Sequence, residues 1–167
     1  METIYFAKLR PEARIPQKRE EDAGYDIYAC LERDFLRIEP LTTVLVPTGI
    51  CSAFSSDYYF QLQERGSTGT KGMARRAGVI DSGFRGEWKV ALTNVNHRPL
   101  YIAKPEVFAR LQEREADGEI LLYSTEKAIA QALFLPVPRT EIRELSPEEL
   151  LSIPSLRGEG MLGSSGK

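Results

Sequence analysis

The sequence has 167 residues with 28% charged side chains and a net charge of −2, which is one ordinary domain with room for a real core. That balance excludes a disordered chain and the broad basic surface that duplex nucleic acid demands, but leaves room for a small anionic ligand held by a few arginines. No apolar run reaches the roughly 20 residues of a membrane span, METIYFAKLR lacks signal-peptide architecture, and two cysteines, Cys30 and Cys51, are too few for a disulfide framework, so a cytoplasmic protein is expected.

In chain order, residues 3–9 alternate as a strand, and residues 11–23 form a polar loop punctuated by Pro11 and Pro16. Strand character returns at 23–29, 35–38, 42–46, 50–54 and 58–63, with turns at Pro40 and at Pro47-Thr48-Gly49. Residues 64–72, ERGSTGTKG, read as a loop whose glycines, hydroxyls and Arg65 suit an anion. Residues 77–94, AGVIDSGFRGEWKVALTN, read as two strands around a glycine-containing connector, a β-hairpin with Asp81 at its mouth. Trp88, Val90 and Leu92 alternate with Glu87, Lys89 and Thr93 across the second strand. On these residues alone, an acid at a strand end more often satisfies turn amides than performs chemistry.

Residues 105–116 open with Pro105, place Val107, Phe108 and Leu111 at helical spacing and are followed by Asp117-Gly118, which predicts a helix. Residues 120–123 and 128–137 read as buried strands. Ser146-Pro147-Glu148-Glu149 is a capping-box signature for a short helix that Pro154 stops. Many short strands and few helical periods predict an all-β fold of sandwich, jelly-roll or barrel type. His97, the one histidine, sits in loop sequence, which removes His-rich metal sites. The glycines at 158–163 fit G-x-G-x-x-G, but without the strand before and the helix after that a dinucleotide site requires. The final Gly-Lys has neither the spacing nor the following hydroxyl of a Walker A loop.

Taken in order, five stretches resemble the motifs of the trimeric dUTP nucleotidohydrolases (dUTPases). They are AGYDIYA at 23–29, ERGSTGTKG at 64–72, AGVIDSGFRGE at 77–87, IAQALFLPV at 129–137 and RGEGMLGSSG at 157–166. The resemblance implies an eight-stranded, jelly-roll-like β-barrel domain over residues 1–156, a homotrimer with shared active sites, and a glycine-rich tail at 157–167. It implies hydrolysis of dUTP to dUMP and pyrophosphate, with magnesium bound through the triphosphate and no direct protein ligand to the metal. Asp81 would be the general base for water attack on the α-phosphorus. Gly78, Val79 and Ile80 would read the uracil edge through their backbone, with Lys89 nearby, and Phe84 would stack under the deoxyribose. Asp26 would contact a magnesium-bound water or the 3′-hydroxyl region. Arg65, Gly66, Ser67 and Gln131 would hold phosphates. Arg157, Leu162, Gly163, Ser164 and Ser165 would close over the nucleotide.

Departures from the family pattern are Gly66 for a serine, Phe84 for a tyrosine, Leu162 for a phenylalanine, and Glu126-Lys127-Ala128 for Gly-Asp-Arg. Residues 98–125, which contain the helix at 105–116, are longer than the family's usual link. Two other readings accompany the first. The dCTP deaminases resemble dUTPases in fold but carry a catalytic glutamate on the strand after the hairpin, where this sequence has Ala91. A non-catalytic, regulatory nucleotide-binding protein on the same fold is the other.

Overall fold

Period-two patterning and frequent turns give a molecule whose regular structure is mostly short strands. The computed structural model describes residues 2–160, and these form twelve strands and three helices. The chain divides after Val137 into two units, 1–137 and 138–167.

The first unit holds all the strands, in four small sheets. β1 (Tyr5–Lys8) pairs with β5 (Ile50–Ala53), and β3 (Phe35–Ile38) pairs with β10 (Leu100–Ala103), which pairs with β11 (Leu121–Ser124). β9 (Lys89–Asn94) lies between β4 (Thr43–Pro47) and β7 (Met73–Arg76). The fourth sheet runs β2 (Gly24–Ile27), β12 (Ala130–Pro136), β6 (Tyr58–Gln63), β8 (Val79–Asp81).

Inward residues of all four sheets meet in one core. Its centre is aromatic: Phe60 and Trp88 are fully buried with ring centroids 5.0 Å apart, and Phe54 meets Phe60 edge-on at 5.2 Å. The Trp88 indole N–H donates to Ser52 Oγ at 3.1 Å, so the one polar atom of the ring is satisfied.

Three expectations change. The stretch at 77–94 does not form a hydrogen-bonded hairpin: β8 pairs with β6, whereas β9 pairs with β4 and β7. The connector carries the chain from one sheet to another, and buried Trp88 at its end anchors the crossing. The alternation itself holds, because Trp88, Val90 and Leu92 are all buried. The loop at 64–72 contains a single helical turn, α1 (Gly66–Gly69), fixed because Thr68 Oγ1 accepts from the Arg65 N–H and donates to the Arg65 carbonyl, both at 3.0 Å. The stretch at 98–125 holds more than the predicted helix. α2 (Pro105–Ala116) joins β10 to β11, which run parallel, as a strand–helix–strand unit. Tyr101, Ala103, Val107, Ile120 and Leu122 give this unit a small core of its own.

In the second unit, α3 (Pro147–Leu151) carries the predicted capping box. Ser146 Oγ accepts from the Glu149 N–H at 3.2 Å, and the Glu149 carboxylate accepts from the Ser146 N–H at 2.8 Å.

Candidate active site

β12, one of the two inner strands of the four-stranded sheet, assembles the first half of the site. In register, Gln131 of β12 lies opposite Asp26 on β2 and opposite Gln63 on β6, and β6 runs on into Glu64 and Arg65. Residues far apart in sequence therefore converge at one end of the sheet. The Arg65 Nε–H meets Asp26 Oδ1 at 3.0 Å, with both side chains about one-third exposed. Gln131 Nε2 donates to the Glu64 carbonyl at 2.7 Å, which fixes its amide. Gly24 makes room for it, since a Cβ there would lie 2.5 Å from Gln131 Oε1. Gly66 and Ser67 are exposed at the start of α1, and Arg65 Nη1 reaches Ser67 Oγ at 3.5 Å.

Gly24, Asp26, Arg65 and Gln131 line a cleft of about 640 Å³, and Gly66 and Ser67 lie outside its lining. Lys18 and Arg19, which sequence reasoning left in a polar loop, line it too. Arg19 pairs with Asp22 at 2.9 Å, and this hydrogen bond holds the Asp22 carboxyl below its ordinary pKa. Among the described residues no cluster of three or more His, Cys, Asp or Glu side chains could hold a metal ion.

The second half is β8 and the connector after it. β8 is an edge strand, with Val79 opposite Gln61, Ile80 opposite Phe60 and Asp81 opposite Tyr59. Ile80 turns into the core, whereas the Val79 and Asp81 side chains are exposed. The Leu62 N–H donates to the Gly78 carbonyl at 2.8 Å. By antiparallel alternation Gly78 and Ile80 thus face β6, and the Val79 N–H and C=O point off the open edge. Ile80, expected among the base readers, is spent on the core and on β6.

After Asp81 the chain makes a tight turn in which the Phe84 N–H donates to the Asp81 carbonyl at 3.0 Å. Arg85, which sequence reasoning also missed, staples this connector: Nη1 donates to the carbonyls of Ser82 at 2.6 Å, Phe84 at 3.1 Å and Ser52 at 3.3 Å. The Phe84 ring, 44% exposed, lies over Gly86, where a Cβ would come within 2.6 Å of it. Lys89 is exposed at the start of β9.

One strand measures the distance between the halves. Gln131 is level with Gln63 and Asp81 with Tyr59, four residues away along β6, or roughly 13 Å at strand rise. Asp26, Arg65 and Gln131 are together; Asp81, Val79 and Phe84 are together; Asp81 is not brought to the cleft. In the second unit the Arg157 Nε–H donates to the Gly160 carbonyl at 2.9 Å. Leu162, Gly163, Ser164 and Ser165 lie outside the described residues.

A dUTPase family profile matches residues 11–114. A deoxyuridine 5'-triphosphate nucleotidohydrolase of Leptospira interrogans is 34% identical over 125 residues, covering 71% of this chain and 86% of the relative. One from Nautilia profundicola is 32% identical over 168 residues and covers 98% and 99%. Among solved structures, the dUTPase of Staphylococcus bacteriophage 80alpha, as a G164S mutant with dUpNHpp, superposes with a TM-score of 0.75 at 20% identity, covering 99% of both chains, a likeness of fold. With the family profile over most of the chain, the relatives above 30% identity and a shared all-β jelly-roll architecture, this chain belongs to the dUTPase family.

Proposed function

We propose that the protein hydrolyses dUTP to dUMP and pyrophosphate, an activity of nucleotide metabolism. The observation that carries this reading is β8: an edge strand whose Val79 backbone is open to a base and whose last residue, Asp81, exposes a carboxylate. The Val79 N–H and C=O, one donor beside one acceptor, suit the alternating acceptor and donor edge of uracil. Asp81 takes a proton from water as the water oxygen bonds to the α-phosphorus, and the bond from that phosphorus to the bridging oxygen breaks to release pyrophosphate. Phe84 packs its ring against the sugar. Arg65, Gln131 and the exposed amides and hydroxyl of Gly66 and Ser67 hold phosphate oxygens.

The donor set fits magnesium carried by the substrate: of the cleft's carboxylates, Asp26 is the one beside Arg65, whereas Asp22 is paired with Arg19. Magnesium bound through the triphosphate would supply charge neutralisation, and Asp26 is the residue that would hold its water shell. Residues 1–137, which hold all the strands, carry the catalytic groups, with 98–125 as an elaboration; Leu162, Gly163, Ser164 and Ser165, proposed with Arg157 as further nucleotide ligands, lie outside the described residues. Free Cys30 and Cys51 suit a cytoplasmic location, and no helix among the described residues is long and apolar enough to cross a membrane.

Active sites shared in a homotrimer explain the separation of the halves. Asp81 of one copy meets the Asp26–Arg65–Gln131 cleft of another. Residues 138–160 support association, since Ile142, Leu150, Leu151, Ile153 and Leu156 are all exposed, Ile142 at 94%. A deaminase lacks support: Ala91 on β9 offers no carboxylate.

The test is pyrophosphate release from dUTP and magnesium by the purified protein. Asp81→Asn should lower kcat by about 10²–10⁴-fold while circular dichroism and the melting temperature stay unchanged. Wild-type turnover by that variant would remove Asp81 from the mechanism. Tight dUTP binding without turnover by the wild type would turn the reading to a non-catalytic nucleotide-binding protein.

A further inference from the structure

The phosphate cleft carries no net charge. Lys18, Arg19 and Arg65 line it against Glu21, Asp22 and Asp26. Each cation is also engaged inside it. Arg65 is on Asp26 at 3.0 Å and Arg19 on Asp22 at 2.9 Å, and the Lys18 ammonium donates to the carbonyls of Asp22 at 2.8 Å and Arg19 at 3.4 Å. A phosphate chain entering such a cleft alone gains little. Its attraction to Arg65 is offset by repulsion from Asp26, one hydrogen bond away, and the pair is too sheltered for solvent to screen that repulsion fully.

We propose that the Asp26–Arg65 pair is a charge lock that makes phosphate-chain binding conditional on a divalent cation. The cation arrives on the phosphates and takes Asp26 as a partner through its water shell. Arg65 is thereby released from its carboxylate and bonds the phosphate oxygens. No covalent step is involved; one ion pair is exchanged for two. The lock excludes inorganic anions and metal-free nucleotides, which present the same oxygens without the compensating charge. It rests on the reading of Arg65 as a phosphate ligand given above.

The experiment is calorimetric titration of inorganic pyrophosphate into the full-length protein and its Asp26→Asn variant, each in magnesium and in EDTA. In EDTA the variant should bind about tenfold more tightly than the wild type, since the opposing charge is gone. The ratio of affinities with and without magnesium should fall by about the same factor or more in the variant. Asp26→Ser, with thermal melts on both variants, guards against a local disturbance of β2. Equal magnesium dependence in wild type and variants overturns the lock while leaving Arg65 a phosphate ligand. Loss of binding by the variants in both conditions also overturns it, and makes Asp26 a brace for Arg65. No pyrophosphate binding by the wild type in magnesium overturns the lock and the phosphate reading together.

Discussion

At the scale of single residues, the phosphate half depends on an absent side chain. A Cβ at residue 24 would stand 2.5 Å from Gln131 Oε1 and 3.0 Å from its Cβ, so Gly24→Ala must displace the amide from the cleft. Because Gln131 is held by a single bond to the Glu64 carbonyl, the side chain can swing away without unfolding β12. Steady-state kinetics of Gly24→Ala should show KM for dUTP raised about tenfold with kcat less affected, as expected when a binding contact is lost. An unchanged KM would mean that Gln131 does not touch the substrate. Much of the candidate site could be proposed from the sequence because Asp26, Arg65, Asp81 and Gln131 each sit in a local string that resembles a family motif, and the fold brings three of them, Asp26, Arg65 and Gln131, to one cleft. Lys18 and Arg19 could not be proposed, because a polar loop has no period and their pairing with Asp22 is a property of three dimensions. The distinction between Val79 and Ile80 was hidden for a related reason. Which backbone groups face outward depends on the partner strand, and β8 pairs with β6 instead of its neighbour in sequence.

At the scale of elements, the unit of β10, α2 and β11 shows what periodicity can and cannot disclose. Pro105 at the first turn and Gly118 past the end marked α2 at its true limits. β10 escaped notice because Leu100, Tyr101, Ile102 and Ala103 are buried on both faces, and a strand covered on two sides has no alternation to read. Its residues divide between two cores. Leu100 and Ile102 join the main one, and Tyr101 and Ala103 face α2. Val107 is the most buried residue of α2 and packs only in the smaller core. Val107→Ala removes two methyl groups and should cost about 2 kcal/mol, or about 4–8 °C in melting temperature for a chain of this size. Since no site residue lies on this unit, kcat/KM for dUTP should be unchanged. A parallel loss of catalytic efficiency at temperatures well below the melt would show that the unit supports the site directly.

At the scale of the whole molecule, a pair of defective variants can decide whether the site is shared. Gln131 and Asp81 flank opposite ends of β6 from its two sides, offset by roughly 13 Å along the strand. A water held by Asp81 is therefore out of reach of an α-phosphate whose neighbours are held by Arg65 of the same chain. If each site takes Asp81 from one copy and Arg65 from another, two defects in different chains can leave a site intact. The Asp81→Asn and Arg65→Ala proteins should each be inactive on their own. Refolded together in equal amounts, they should regain about a quarter of wild-type activity, the fraction of sites in which both donated groups are native when copies mix at random. If each chain builds its own site, every site keeps one defect and mixing restores nothing. Light scattering on the same samples separates the two ways of failing. A monomer would remove the shared site altogether, whereas an inactive mixed trimer would place Asp81 and Arg65 in one chain's site and require the four-residue offset along β6 to close when substrate binds.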